Sequence, residues 1–180
     1  MENQKKSYLL KNFQISTDDK MKTLVIYFSL TGSTEFVAKI IAAQFNADLG
    51  EVVDKKHKMG KMIYLKGGAA SIREKLTEIE VHKSIEDYDL IIVGSPIWAG
   101  KITPAIRTFL SLNDFSHKHG AFFITLGGKK PEKSFKNMRK TTGFKSIVKE
   151  LAVSNTIEDK KEVEKKVIDW CEEIKKRLEI

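Results

Sequence analysis

The sequence predicts an α/β protein, a three-layer α/β/α sandwich around a five-stranded parallel sheet of order 2-1-3-4-5. Three observations carry this. From Met21 onward, short apolar segments alternate with longer segments of helical apolar spacing; strands alternating with helices imply parallel pairing through right-handed crossovers. Leu90-Ile91-Ile92-Val93 is uninterrupted by any polar residue, as in a strand buried on both faces. Val25-Ile26-Tyr27-Phe28 runs into Ser29-Leu30-Thr31-Gly32-Ser33-Thr34 and then directly into an amphipathic helix, the strand–loop–helix unit of such folds.

The elements follow in order. Residues 1–20 are polar and weakly patterned and are read as an extension, a disordered arm or a tag, outside the fold. Residues 21–180 form one domain, the natural count for this length. A first strand is expected at about residues 22–29. The first helix, at about 33–46, places Phe36, Val37, Ile40, Ile41 and Phe45 on its apolar side. A short strand at about 49–53 precedes a long polar segment, 54–83, which contains Gly67-Gly68 and a candidate helix over 69–76. The third strand covers 89–94. Thr103-Pro104 opens the next helix, with Thr as N-cap and Pro at the first helical position, and Ile102, Ile106, Phe109 and Leu110 supply its buried side. A fourth strand at 121–125, a helix at 132–141, a fifth strand at 145–153 and a last helix at 158–178 complete the chain. The last helix carries Val163, Val167, Trp170, Cys171, Ile174 and Leu178 on one stripe. Trp170 therefore reads as core and Cys171 as a buried thiol.

Composition narrows the function classes. A single cysteine excludes an intrachain disulfide framework and argues for the cytoplasm. The longest apolar runs are far short of a membrane span, and the N-terminus lacks a signal-peptide core. His57, His82, His117 and His119 show no metal-ligand spacing; the last two are read as surface-loop residues. The net charge is +8, from 32 basic and 24 acidic residues. The excess is uneven: residues 128–150 hold eight Lys/Arg against two Glu, whereas 159–180 are balanced at seven against seven. A basic face suits an acidic protein or a phosphorylated ligand. The basic stretches carry no nucleic-acid motif, so no nucleic-acid partner is expected.

The first loop is an anion site in outline. The opening N–H groups of a helix lack intrahelical acceptors, and its dipole favours negative charge there. Ser29, Thr31, Ser33 and Thr34 add hydroxyl donors, and Gly32 lets the backbone close around a phosphate. The loop contains no Lys or Arg. It lacks both the Gly-x-x-x-x-Gly-Lys-Ser/Thr pattern and the Gly-x-Gly-x-x-Gly pattern. A polar strand-to-helix turn with a hydroxyl cap is the simpler alternative.

The pattern Ser-x-Thr-Gly-x-Thr, here Ser29-Leu30-Thr31-Gly32-Ser33-Thr34, resembles the FMN phosphate loop of flavodoxins. With Gly94-Ser95-Pro96-Ile97-Trp98-Ala99-Gly100 after the third strand and Thr125-Leu126-Gly127-Gly128 after the fourth, the resemblance to the flavodoxin-like superfamily extends over residues 21–180. It is to the short-chain type, because the fifth strand shows no long insertion. The resemblance implies FMN as cofactor, with its phosphate at Ser29, Leu30, Thr31, Gly32, Ser33 and Thr34. Its ring would meet Ser95, Pro96, Ile97, Trp98, Ala99 and Gly100 from the second loop and Thr125, Leu126, Gly127 and Gly128 from the third. Trp98 is read either as a stacking or rim-shielding residue or as a packed loop aromatic. The chain departs from the familiar members in being basic and in offering Gly127-Gly128-Lys129-Lys130 where a second aromatic shield would stand; Tyr64 is one substitute.

No residue is singled out as a general acid, base or nucleophile. The expected function is an FMN-binding redox protein that transfers electrons. The alternative is an FMN-dependent NAD(P)H oxidoreductase acting on quinone-like acceptors, suggested by the open third loop and by Lys129, Lys130 and Lys133. A third class, a flavin-free interaction domain of the same fold, would bind no FMN. Expected partners are an acidic redox protein or NAD(P)H, with no membrane; a homodimer is compatible with all three.

Overall fold

Alternating strand and helix signals, with central strands too apolar to face water, leave the chain one economical arrangement: strands side by side, helices over both faces. The computed structural model describes residues 21–56, 76–127, 131–154 and 159–180 and has this arrangement. In chain order the elements are β1 (Thr23–Tyr27), α1 (Ser33–Phe45), β2 (Asp48–Asp54), β3 (Ile79–Val81), β4 (Leu90–Trp98), β5 (Lys101–Ile102), α2 (Pro104–Leu112), β6 (His119–Thr125), α3 (Glu132–Thr141), β7 (Ser146–Val153) and α4 (Lys160–Leu178).

The sheet runs β3-β2-β1-β4-β6-β7. Strands β2, β1, β4, β6 and β7 are parallel, which is the expected order of five. Two short antiparallel strands were not legible in the sequence. β3 pairs with the edge of β2, and β5 folds back on the end of β4. Each is too short to show a period of its own. The fourth strand starts at His119 rather than Ala121, so His119 lies on β6 and not in a surface loop; its Nδ1 is 2.8 Å from Ser146 Oγ on β7.

Successive strand residues point to opposite faces, and each face has its own core. Leu24, Ile26, Ile91, Val93, Phe122 and Ile124 pack with α2 and α3 through Ile106, Phe109, Leu110, Phe135 and Met138. Val25, Tyr27, Leu90, Ile92, Ala121 and Phe123 pack with α1 and α4 through Val37, Ile41, Val167, Trp170 and Ile174. Trp170 and Cys171 are buried as their stripe predicted. Burial pushes the Cys171 thiol up to about 12, so it is no thiolate at neutral pH.

The polar segment 54–83 is clasped at its ends. Thr77 Oγ1 donates to the buried carboxylate of Asp54 at 2.9 Å, and Thr77 N–H donates to Thr108 Oγ1 on α2 at 2.9 Å. Lys55 N–H reaches the Glu78 carbonyl at 2.9 Å. Residues 57–75, with Tyr64, Gly67-Gly68 and most of the expected helix over 69–76, lie outside the described residues; Leu76 is described and is not helical.

Gly94 sits in the middle of the sheet, paired with Tyr27 on one side and Phe123 on the other. A Cβ there would lie 2.0 Å from Phe123 Cζ, and the Phe123 ring is fully buried. The Phe123 ring lies over Gly94 on the α1/α4 face, in the space that a side chain there would take. Gly94→Ala should therefore cost about 1–3 kcal/mol through overpacking. Urea unfolding of the two proteins measures this; unchanged stability would mean that Phe123 has room to move.

Candidate functional site

Parallel strands end at the same rim of the sheet, so the segments after β1, β4 and β6 come together there, at the switch point between β1 and β4. Phe28 extends β1 beyond its last pair by donating its N–H to the Gly94 carbonyl at 3.2 Å. After it, Ser29 turns inward, and its Oγ is buried without a hydrogen-bond partner among the described residues. Leu30 packs against the α2/α3 core. Thr31 and Gly32 are exposed, and Thr31 Oγ1 is 3.5 Å from Ser33 Oγ. Gly32 holds φ at 85° as the N-cap of α1, and no side chain caps that helix. The first-turn amides of Ser33, Thr34 and Glu35 thus keep their N–H groups without an intrahelical acceptor. A hydroxyl cap, the simpler reading of this loop, is absent. Glu35 puts a carboxylate in the same turn but pairs with Lys39 at 2.6 Å.

Thr34 departs from its expected place as a loop donor. Its side chain is buried, and its hydroxyl lies 2.8 Å from Thr125 Oγ1 at the end of β6. That contact joins the first and third segments of the site directly. Thr125 is buried with it, Leu126 donates its N–H to the Val153 carbonyl at 3.0 Å, and Gly127 is exposed with nothing within 4 Å of where a Cβ would stand. Gly128, Lys129 and Lys130 lie outside the described residues.

The second segment is a hairpin rather than a loop. β4 continues through Ser95, Pro96, Ile97 and Trp98, and β5 returns from Lys101. Ala99 and Gly100 turn the chain with φ of 49° and 76°, the paired positive values of a type I′ turn, which matches strand twist. Ser95 faces inward: its hydroxyl donates to the Pro96 carbonyl at 2.9 Å and accepts from Thr103 N–H at 3.2 Å. Thr103 is the N-cap of α2 by backbone conformation, but its hydroxyl makes no cap bond and lies 3.4 Å from Ser95 Oγ. Trp98 is buried to 8% exposure, edge-on to Phe28 with ring centroids 5.7 Å apart. Pro96 and Ile97 are half-buried, and Ala99 and Gly100 are exposed at the tip.

The rim therefore presents Thr31, Gly32, Ala99, Gly100 and Gly127 to solvent over the inward-facing Ser29 Oγ and a buried layer of Thr34, Ser95, Trp98 and Thr125. Sequence reasoning named Lys133 beside this rim and missed Lys101, Lys136, Asn137 and Lys140, which join it there. Lys101, Lys133, Lys136, Asn137 and Lys140 line a cleft of about 140 Å³ beside the hairpin. The 133/136/140 spacing on α3 was its available signal; Lys101 joins only because the hairpin turns. Among the described residues no group of three His, Cys, Asp or Glu could hold a metal ion, and no helix is long and apolar enough to cross a membrane.

A 2-1-3-4-5 parallel sheet with small residues at its switch point defines the class of doubly wound α/β sandwiches, which bind ligands beyond the carboxyl ends of their strands. The family model for flavodoxin matches residues 22–174, and the chain belongs to the flavodoxin family. Solved structures of similar fold include a putative flavoprotein from Bacteroides uniformis, 24% identical with a TM-score of 0.69, covering 86% of this chain and 99% of that one. A flavoprotein in complex with FMN from Lactobacillus acidophilus is 24% identical with a TM-score of 0.65, covering 73% and 93%. Oxidised flavodoxin 2 from Bacillus cereus is 19% identical with a TM-score of 0.58, covering 87% and 99%.

The Thr34–Thr125 bond gives a direct test of how the rim is held. Either single change to Val leaves one buried hydroxyl unpaired and should cost about 1–3 kcal/mol, while the double change should cost clearly less than the sum. Denaturant unfolding of the four proteins without ligand measures the coupling; additive losses would show that the two hydroxyls do not bond.

Proposed function

We propose that the protein binds FMN at this rim and acts as a redox protein that transfers electrons. The observation that carries this reading is the buried, unpartnered Ser29 Oγ beside the uncapped first turn of α1. A buried hydroxyl with no partner costs about 1–3 kcal/mol, and amides aimed outward at a helix N-terminus suit an anion. A phosphate accepts from both. Gly32, with open space at its Cβ position, admits it without a clash.

In this reading Ser29, Thr31, Ser33 and the first-turn amides bind the phosphate without any cation. Leu30, Thr34 and Gly32 shape the loop, with Thr34 acting through its backbone N–H. Pro96, Ile97, Ala99 and Gly100 border the ring, Ser95 and Trp98 brace the hairpin from below, and Thr125, Leu126 and Gly127 approach its edge. When bound, the flavin supplies one- or two-electron chemistry, and the protein supplies orientation and electrostatics. Cys171 is buried and unpaired, which agrees with a reducing, cytoplasmic setting.

Ser29→Ala separates this reading from a merely structural serine. It removes an unsatisfied group, so the FMN-free protein should be as stable as the parent or more so. FMN affinity should fall by about tenfold to a hundredfold, the value of a hydrogen bond to a charged acceptor. Absorbance and fluorescence titration with FMN, alongside thermal unfolding, reads both. A parent protein that retains no flavin after soaking and desalting would sink the proposal and favour a flavin-free interaction domain.

A second reading is an FMN-dependent NAD(P)H oxidoreductase for quinone-like acceptors. The lysine-lined cleft beside the hairpin favours it. With FMN bound, steady-state oxidation of NADPH by a quinone should then be saturable. Turnover no faster than free FMN supports would leave the electron carrier.

A further inference from the structure

The cleft between the β4–β5 hairpin and α3 is built from two elements and held in place. Ser134 Oγ on α3 donates to the Gly100 carbonyl at 3.2 Å, which fixes the helix against the hairpin tip. Beneath, the buried Arg107 of α2 donates from its guanidinium to the Ile102 carbonyl at 3.3 Å and to Asn137 Oδ1 at 3.4 Å. Asn137 is thus oriented from below, and a buried positive charge stands behind the cleft. Lys101 projects from one wall and Lys133, Lys136 and Lys140 from the other.

Those three helix lysines are three and four residues apart, so like charges are neighbours along one face, which is destabilising. Lys133 also lies in the first turn of α3, where the helix dipole disfavours a cation. Some helix and sheet cations elsewhere meet carboxylates: Lys39 with Glu35, Lys175 with Glu172, Lys149 with Glu173 and Arg139 with Glu150; what sets the α3 lysines apart is that they line one cleft together with Lys101. Lys133, Lys136 and Lys140 form no ion pair with any described residue, and Glu132 beside them is exposed. Three lysines on one wall of a cleft, with no described carboxylate to match them, suit an anion from outside.

The size and the donor type narrow that anion. At about 140 Å³ the cleft is below the roughly 300–1,000 Å³ that encloses a whole ligand, so it receives one charged group. Arginine forks match planar carboxylates, and lysines bind phosphate as point charges. Here the lining cations are all lysine, and Arg139 faces Glu150 instead. We propose that this cleft is a second anion site, separate from the FMN loop, that binds the phosphoryl or pyrophosphoryl group of a soluble ligand. It does not rest on the flavin reading, because none of its residues belongs to the three rim segments except through the bond at Gly100.

Inorganic pyrophosphate is the probe. It is titrated by calorimetry into FMN-saturated protein at constant ionic strength, with chloride as control and with the amide signals of Lys133 and Lys136 followed by NMR. The expected result is saturable binding at one site, with shifts at those amides. A Lys133→Gln/Lys136→Gln variant should bind at least about tenfold more weakly, as loss of hydrogen bonds to a charged group implies, with FMN affinity unchanged. If the protein retains no FMN, the same variant still reports the cleft, since it leaves the first loop intact. Adenosine 5′-diphosphate binding more tightly than pyrophosphate would trace the group to a nucleotide; equal affinity would trace it to free phosphate. No saturable binding, or an unchanged variant, overturns the proposal. A hexaglutamate peptide that displaces pyrophosphate and binds more tightly also overturns it, and makes the flank a docking face for an acidic protein.

Discussion

The row Tyr27–Gly94–Phe123 across β1, β4 and β6 is the constraint on which the rim depends. Three parallel strands reach this row in register, and each gives way to a site segment a few residues later. Because Gly94 has no side chain, the Phe123 ring can lie over it and fill the α1/α4 side. Close-packed interiors transmit small displacements, so the relative height of the three segments is set at this row. The Thr34–Thr125 and Phe28–Trp98 contacts then lock the outer layer to the inner one.

Hydrogen-bond accounting separates the site from its support. Buried polar groups in a folded chain are paired in the great majority of cases. Ser95, Thr103, Thr34 and Thr125 obey that rule among themselves, and so do Asp54, Thr77 and Thr108 at the clasp of the polar segment. Ser29 is the exception at the rim, next to a helix turn without a cap. An unmet donor and unmet amides at one place are the physical sign of an external acceptor. The two anion sites argued above are opposite in kind. The first is neutral and built from fixed dipoles, while the second is cationic and built from flexible lysines.

Charge distribution gives the rim a polarity. Its basic flank lies on α3 and the hairpin, whereas residues 159–180 on the other face hold seven Lys/Arg against seven acids. A field of that shape steers anions toward the hairpin end of the rim and not toward the helix stripe of α4.

The sequence by itself determined the layer architecture, the order of the five parallel strands and the position of the hydroxyl loop. These depend on local information: apolar runs such as Leu90–Val93, the 3.6-residue stripe of α4, and a strand that feeds small polar residues into a helix. It also placed Trp170 and Cys171 in the core, since stripe position decides burial. Only the tertiary structure decided which hydroxyls face inward. Thr34 and Thr125 are 91 residues apart, and no local pattern couples them. The hairpin at Ala99-Gly100 was hidden for a similar reason: β5 has two residues and exists only by pairing with β4. That hairpin buries Trp98 against Phe28 and brings Lys101 to the lysines of α3. Pairing across long sequence separations, and not composition or periodicity, turned three ordinary loops and a scattered positive charge into a site with a neutral cradle and a cationic flank.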